Sequence, residues 1–471
     1  MKEHLTPRLL DRFVENTAEA LPDAPAFVPD CDSLGKAWKQ AGLRPGDLVL
    51  LCLPNGRELL HQFFGVLMAG AVPALLAPST PVARLREIAD TMGARAIGML
   101  RNISAHFAAA EHCRIGVLHV AVLAATPDPA ANPGEVVLLT SGTSGFASGC
   151  VFDFESILLN GQRHSASIGV RQDDTVLVNL PLYFSFALSA QVLASLVRGN
   201  KLVISGPPFQ AAEFDRTIGA FGITIASLTP VIIYKLLCQE GGMHRSLTLP
   251  RIVSVGGDFL DPQLVRMLIN ARSGKEVYLT YGLTQAGPRV STLAAHAAPE
   301  SRYSSVGLPL EGTQVELRPT NDSTGLQQLF VTSSTVMKRT IGRIEGRTQN
   351  SLVAANTVAT GDAFRMDSEG YLFFLGRLSD FISREGEKIS LAAVRRVAAQ
   401  IPHVTQAKTR VFTRDDGSDE YDLELFVAET ALHNGVPFDA SATLNRLLKR
   451  SEWPRNIDVK PAMAANQERY K

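Results

Sequence analysis

Between Asp47 and Thr280 the chain returns again and again to short, almost wholly apolar runs separated by segments of helical period. Asp47-Leu48-Val49-Leu50-Leu51-Cys52-Leu53 reads as a buried strand stopped by Pro54-Asn55-Gly56, and Val72-Pro73-Ala74-Leu75-Leu76 reads as the next. Further strands are expected over residues 175–179, 201–204, 223–228, 251–255 and 276–280, with helices over 193–197, 211–221 and 230–238. A strand without polar alternation has no face to offer water, so it belongs in a parallel sheet covered by helices on both sides. Leu9, Leu10, Phe13 and Val14 add an amphipathic helix near the start. The most apolar window, residues 59–78, is broken by His61, Gln62, Pro73 and Pro78, and reads as a buried helix followed by a strand rather than a membrane span.

After Pro309 the texture changes to shorter alternating strands, at 313–317 and 329–331, with polar turns between them. This predicts a compact β-rich subdomain over 309–375. A strand at 371–375 leads into Gly376-Arg377-Leu378-Ser379-Asp380, and residues 378–471 carry a helix–strand pattern of their own. The expected division is therefore an N-terminal domain over 1–377 and a small C-terminal domain over 378–471.

Charge narrows the partners. Forty-six basic residues balance forty-six acidic ones, which argues against a nucleic acid or a membrane surface and leaves small ligands as the default. The five cysteines, Cys31, Cys52, Cys113, Cys150 and Cys238, are scattered and show no metal-ligand spacing, which points to a reducing compartment and no structural zinc. The opening Met1-Lys2-Glu3-His4 is charged rather than apolar, so a cytoplasmic location is expected.

Four polar clusters follow predicted strands, where open α/β folds put their ligands. The first is Thr140-Ser141-Gly142-Thr143-Ser144-Gly145-Phe146-Ala147-Ser148-Gly149-Cys150, directly after Val136-Val137-Leu138-Leu139. Glycines let successive N–H groups turn inward as an anion nest, and small hydroxyl residues add donors without bulk. The loop contains no lysine. The second cluster is Tyr281-Gly282-Leu283-Thr284-Gln285, the third Thr360-Gly361-Asp362 and the fourth Gly376-Arg377. Taken singly each is a weak signal, and the first alone reads more readily as a plain surface loop.

In this order and at these separations the clusters resemble the core motifs of the adenylate-forming superfamily, which includes acyl- and aryl-CoA synthetases, the adenylation domains of peptide synthetases, and luciferases. Leu10-Asp11-Arg12-Phe13, Pro22-Asp23-Ala24-Pro25-Ala26-Phe27, Leu67-Met68-Ala69-Gly70-Ala71-Val72-Pro73 and Arg384-Glu385-Gly386-Glu387-Lys388-Ile389-Ser390 extend the likeness over almost the whole chain. The resemblance implies an α/β fold: a large N-terminal domain with two parallel-type α/β sheets plus a small β-rich subdomain, followed by a small mobile α+β C-terminal domain.

It also implies a two-step reaction. A carboxylate attacks the α-phosphate of ATP, with Mg²⁺, to give an acyl-adenylate and pyrophosphate, and a thiol of coenzyme A or of the phosphopantetheine of an acyl carrier protein then displaces AMP. By position, Thr140 to Gly145 would hold the β- and γ-phosphates, Gly256, Gly257 and Tyr281 would frame the adenine, and Thr284 would contact the α-phosphate. Asp362 would accept from the ribose hydroxyls with Arg377 close by, and the hinge would lie at Ser379-Asp380. Phe184, Ser185, Phe186 and Ala187 would line the acyl pocket, with Gly256, Gly257 and Gly282 as its remaining close-approach walls. Amino-acid-activating members carry an aspartate where Ala187 stands, so the resemblance implies an aryl or acyl acid without an α-amino group.

Three positions depart from the family pattern. Ser148 replaces the loop lysine, Gln285 replaces the glutamate that ligates Mg²⁺, and the lysine of the closing segment falls on Gln467 or Asn466 according to the direction of counting. All three remove charge from the handling of a tetra-anion. The competing expectation is therefore a relative that binds a ligand or partner through the same cleft, or keeps only the thiol-transfer half-reaction.

Overall fold

The structure, a computed structural model, describes residues 6–20, 30–124, 130–140, 148–207, 209–239, 250–270, 274–320, 325–342, 351–384, 387–399, 401, 403–414, 419–427 and 440–461. Within them the apolar runs become strands of two large sheets. In the first, Ala18–Glu19, Lys201–Ile204, Thr175–Val178, Ile225–Leu228, Ile252–Val255 and Glu276–Tyr281 lie side by side in that order and run parallel. Ser291–Ala294 and Leu308–Pro309 then extend the sheet antiparallel. Every residue of Thr175–Val178, Ile225–Leu228 and Ile252–Val255 is buried, which is what the lack of polar alternation requires.

The second sheet orders Arg339–Gly342, Ser148–Asp153, Glu135–Thr140, Val72–Leu75, Leu48–Cys52, Ala94–Met99, Leu118–Val122 and Glu111–Ile115. Its centre, from Glu135–Thr140 to Ala94–Met99, is parallel. Its flanks are antiparallel: Glu111–Ile115 with Leu118–Val122, and Glu135–Thr140 with Ser148–Asp153, are consecutive strands whose short connections leave no room for a crossover, while Arg339–Gly342 joins antiparallel from far along the chain. An apolar core that includes Leu51, Phe63, Phe64, Phe152, Ile157 and Leu177 links the two sheets.

The apolar window resolves into the helix Arg57–Met68 and the strand Val72–Leu75, and no helix among the described residues is long and apolar enough to cross a membrane. Gln62 is buried with its hydrogen bonds met: it accepts from Trp38 Nε1 at 3.0 Å and donates to Glu58 Oε1 at 2.9 Å and to the Ile115 carbonyl at 3.1 Å. Cys31, Cys52, Cys113 and Cys150 are free thiols. Asp11, Cys31 and His61 bring their ligand atoms within 4.8 Å of one another, a grouping that cysteine spacing does not foretell. Burial, reinforced by Asp11, pushes the Cys31 thiol up, so it stays protonated there.

After the large sheets, Thr313–Pro319, Gln327–Ser333, Thr357–Met366 and Leu352–Ala354 form an antiparallel sheet, and Leu372–Arg377 also pairs with Thr357–Met366. The hairpin Phe381–Arg384 and Glu387–Ser390, the helices Leu391–Ala398 and Ala440–Leu447, and the strands Val404–Thr413, Asp419–Val427 and Ile457–Pro461 follow. They enclose a separate small core around Ile389, Val394, Leu423, Leu425 and Leu444.

One buried carboxylate fastens the strand that leads into the Thr140 loop. Glu135 is 1% exposed and pairs with Arg339 at 2.8 Å and Lys338 at 3.0 Å, while its oxygens also accept from the N–H and amide of Asn132. Burial raises its affinity for a proton, but the hydrogen bonds from Arg339, Asn132 and Lys338 outweigh it and bring the carboxyl down to about 2. A depressed carboxyl contributes stability that is complete above the unfolded value of about 4.3 and is lost as pH falls toward the folded value. Glu135→Gln should therefore lower unfolding free energy at pH 7 by about 1–3 kcal/mol, toward the lower end because both cationic partners are partly solvated. The deficit should vanish by about pH 2 in urea titrations.

Candidate active site

Thr175–Val178, Ile225–Leu228, Ile252–Val255 and Glu276–Tyr281 are parallel neighbours, so their carboxyl ends open on one edge of the first sheet. Tyr281 closes the last of them. Its buried ring packs edge-on to Phe364, with centroids 4.8 Å apart, and stacks on Phe374 at 6.2 Å. Its hydroxyl donates to Asp362 Oδ2 at 2.6 Å, across from the β-rich sheet. Burial first, then the charge of Asp362, holds the phenol well above its ordinary range, so it remains a donor.

Asp362 is 1% exposed, and its strand register sets it opposite Arg377, whose Nε lies 3.4 Å from Oδ1. Beyond that ion pair, Oδ1 accepts no hydrogen bond from any described residue. Burial raises the carboxyl above the usual carboxylate range, and Arg377 and Tyr281 pull it part of the way back. A buried carboxylate with one satisfied and one waiting oxygen is suited to a ligand hydroxyl.

The turn after Tyr281 is tight because glycine leaves room for it. A Cβ at Gly282 would stand 1.7 Å from the Pro288 carbonyl oxygen, and one at Gly256 would stand 2.5 Å from Thr280 Oγ1. Gly257 follows in the same turn with φ +96°. The short helical turn Thr284–Ala286 is pinned by the Met337 N–H, which donates to the Gln285 carbonyl at 2.9 Å. The Gln285 side chain is half-buried, with no hydrogen bond to another described residue. Thr284 Oγ1 lies 3.0 Å from Ser185 Oγ, so the second cluster and the acyl segment meet.

Asn55 holds that acyl segment in place, donating to the Leu180 carbonyl at 2.8 Å and accepting from the Leu182 N–H at 2.9 Å. Ala187 is fully buried in the turn Ser185–Ala187, and Phe184 rests edge-on against Tyr183 with centroids 4.9 Å apart. Phe186 is covered by the guanidinium of Arg289, 4.1 Å from its ring centroid. Arg289 is 3% exposed; its Nη1 donates to Thr280 Oγ1 at 2.9 Å and its Nε to the Pro288 carbonyl at 3.2 Å. Burial pushes it down to about 10, which still leaves a cation at neutral pH. Asn160 grips its backbone on both sides, at 2.9 Å each.

Thr140 and Ser148 face each other at the base of the first cluster, antiparallel, with hydroxyls 2.7 Å apart. Ser148 is buried and supplies a hydroxyl to the neck of the loop, not a cation. Ser141, Gly142, Thr143, Ser144 and Gly145 lie outside the described residues, as do Asn466 and Gln467. Ser379 and Asp380 fall in the turn Leu378–Asp380, where Asp380 pairs with Arg395 at 2.8 Å. Arg396, on the same helix as Arg395, lies over the Phe259 ring at 4.8 Å. Arg384 donates to the Ser451 and Trp453 carbonyls at 3.0 and 2.6 Å and pairs with Glu420, so it is committed within the C-terminal fold.

Residues 27–338 match the model of the AMP-binding enzyme family. The chain belongs to that family. It is 24% identical over 428 residues to 4-coumarate-CoA ligase 1 of Narcissus pseudonarcissus, covering 84% of this chain and 77% of that protein. It is 28% identical over 352 residues to the 2-succinylbenzoate–CoA ligase of Bacillus pumilus strain SAFR-032, covering 71% of this chain and 68% of that one. Among solved structures, the o-succinylbenzoate CoA synthetase of Bacillus subtilis in complex with the acyl-adenylate intermediate OSB-AMP superposes with a TM-score of 0.76. That likeness of fold covers 97% of this chain and 94% of the other at 19% identity.

Several residues of this AMP-binding enzyme's candidate site carry no sequence signal. Phe364 and Phe374 look like ordinary strand aromatics. Asn55 and Asn160 act through backbone groups more than 100 positions away. Arg289 belongs to a residue type that is mostly exposed, and nothing in Gly287-Pro288-Arg289 announces its burial. His164 is fully buried with no partner on either ring nitrogen among the described residues, and burial, then the Arg289 charge, pushes it down to about 3. A histidine kept neutral by the fold binds a proton only on unfolding between about pH 3 and its unfolded value near 6.5, so stability rises with pH across that window. Unfolding free energies at pH 5 and 7 should show this dependence, at up to about 1.4 kcal/mol per pH unit for one group, and His164→Gln should flatten it.

Proposed function

We infer that this chain activates a carboxylic acid as its acyl-adenylate at the expense of ATP and then transfers the acyl group to a thiol. The observation that carries the reading is the buried pair of Tyr281 and Asp362, with the waiting Oδ1 at the carboxyl edge of a parallel sheet, in a chain of the AMP-binding enzyme family. In this reading Asp362 accepts from the ribose hydroxyls with Arg377 nearby, Tyr281 with Gly256 and Gly257 frames the adenine, and Thr140 and the loop after it hold the outer phosphates. A carboxylate oxygen attacks the α-phosphorus, the bond to pyrophosphate breaks, and Thr284 donates to an α-phosphate oxygen. Mg²⁺ would offset phosphate charge, held mainly by the nucleotide, with the side-chain amide oxygen of Gln285 as a neutral protein ligand.

Phe184, Ser185, Phe186 and Ala187 are assigned to the acyl pocket, with Gly256, Gly257 and Gly282 as its close-approach walls. With no acidic side chain at Ala187, an α-ammonium would be buried unpaired, which favours an acyl or aryl acid without an α-amino group. Both curated relatives named above are CoA ligases, which favours coenzyme A over a carrier protein as the acceptor. For the second half-reaction, rotation at Ser379-Asp380 would carry the C-terminal domain, Arg395 and Arg396 included, away from Phe259.

Carboxylate-dependent exchange of pyrophosphate into ATP tests the reading across a panel of aryl and acyl acids. Exchange is expected with some of them. Asp362→Asn should weaken ATP binding about 10–100-fold by calorimetry, the equivalent of one charge-assisted hydrogen bond. Gln285→Glu should speed exchange about tenfold, by restoring a charged metal ligand. A folded protein that binds ATP yet exchanges with no acid would favour the non-catalytic reading, and thioester formation from a supplied synthetic acyl-adenylate would favour the thiol-transfer one.

A further inference from the structure

Arg289 is an unusual thing to find in the pocket assigned to the acid. Its guanidinium lies over Phe186, and a Cβ on either Gly256 or Gly282 would come within 2.9 Å of it, so three residues of the candidate pocket surround one cation. Its hydrogen-bond partners among the described residues are two oxygens, the Thr280 hydroxyl and the Pro288 carbonyl. No carboxylate among the described residues pairs with it, and its Nη2 makes no hydrogen bond to any of them. Two titratable groups that share its surroundings, Tyr281 and His164, are both neutral.

Burying a guanidinium without a counter-ion costs more than one hydroxyl, one carbonyl and one aromatic face return. A core built only for packing would carry an aliphatic side chain at this position. The fold instead holds the cation in place, since Asn160 clamps both backbone groups of Arg289, and Gly256 and Gly282 approach its guanidinium so closely that neither position has room for a side chain. The missing partner is an anion that arrives with the ligand. A guanidinium presents parallel N–H groups that match the two oxygens of a carboxylate.

We propose that Arg289 is the receptor for a second carboxylate on the substrate, so that the acid activated here is a dicarboxylic acid whose distal carboxylate seats on Arg289 while the other reacts. The inference rests on the adenylation reading for the fate of the reacting carboxylate, and only on Arg289 and its surroundings for the distal one. It also sharpens the exclusion of amino acids, because an α-ammonium would meet a cation as well as lack an anion.

The test compares shape-matched pairs: succinate with butyrate, adipate with hexanoate, and terephthalate with 4-methylbenzoate. Pyrophosphate exchange is measured for the wild-type enzyme, Arg289→Met and Arg289→Lys, alongside calorimetric binding of each acid without ATP and thermal melts to show that each variant is folded. In at least one pair the wild type should favour the diacid at least tenfold in kcat/KM. Arg289→Met should reverse that preference, and Arg289→Lys, which keeps charge but loses the planar fork, should fall between and serve alone if the methionine variant does not fold. Preference for the monocarboxylic member in every active pair overturns the proposal. So does an equal loss for both members in Arg289→Met, which would assign the guanidinium to the reacting carboxylate or to packing. Diacid binding that depends on Arg289 without any exchange would overturn the adenylation reading and leave this one standing, and the absence of both would overturn both.

Discussion

Parallel pairing of Thr175–Val178, Ile225–Leu228, Ile252–Val255 and Glu276–Tyr281 is the constraint from which the rest of this molecule follows. Parallel strands all end on one edge, so the segments that leave them are delivered to the same place however far apart they lie in the chain. That edge receives the Pro181–Ala187 segment, the Gly256-Gly257 turn and the Tyr281–Gln285 turn. The hydrogen bond from Tyr281 to Asp362 then ties the edge to the β-rich sheet, which brings in Arg377 and, directly beyond it, the connection to the C-terminal elements.

Charge is distributed around this edge in an uncommon way. Ser148 puts a hydroxyl, bonded to Thr140, where a lysine would stand in the superfamily motif, and Gln285 puts an amide where a glutamate would stand. Both changes lie on the side assigned to the phosphates. On the side assigned to the acid, a cation is present that the motif comparison does not anticipate, with no protein carboxylate beside it among the described residues. The two observations are independent physically, since the hydroxyl pair is satisfied within the protein and the guanidinium is not.

Much of the architecture is legible from residue pattern alone. All-apolar runs of four to six residues cannot be half-solvated, so their placement in helix-covered sheets follows from burial, and Ala211–Phe221 falls as expected because its apolar residues repeat at helical spacing. Strand direction at the flanks of the second sheet is less legible. Glu111–Ile115 and Ser148–Asp153 pair through the connections that precede or follow them, and a hydropathy pattern does not distinguish a crossover from a hairpin. The site divides in the same way. Tyr281, Thr284 and Asp362 stand out as polar residues that interrupt apolar strands, whereas Asn55, Asn160, Phe364 and Arg289 are ordinary letters whose roles exist only through partners far along the chain.

By itself, the sequence determined the alternation of buried strands and helices, the order of the polar clusters and the identity of the groups available for chemistry, because these depend on local composition and spacing. Tertiary structure alone decided which of those groups meet, which are stripped of water and which are left without a partner. The closeness of Ser185 to Thr284, the waiting oxygen of Asp362 and the unpaired charge of Arg289 are all of that second kind. Each depends on desolvation and on contacts between distant segments, and neither has any value until the chain has closed around it.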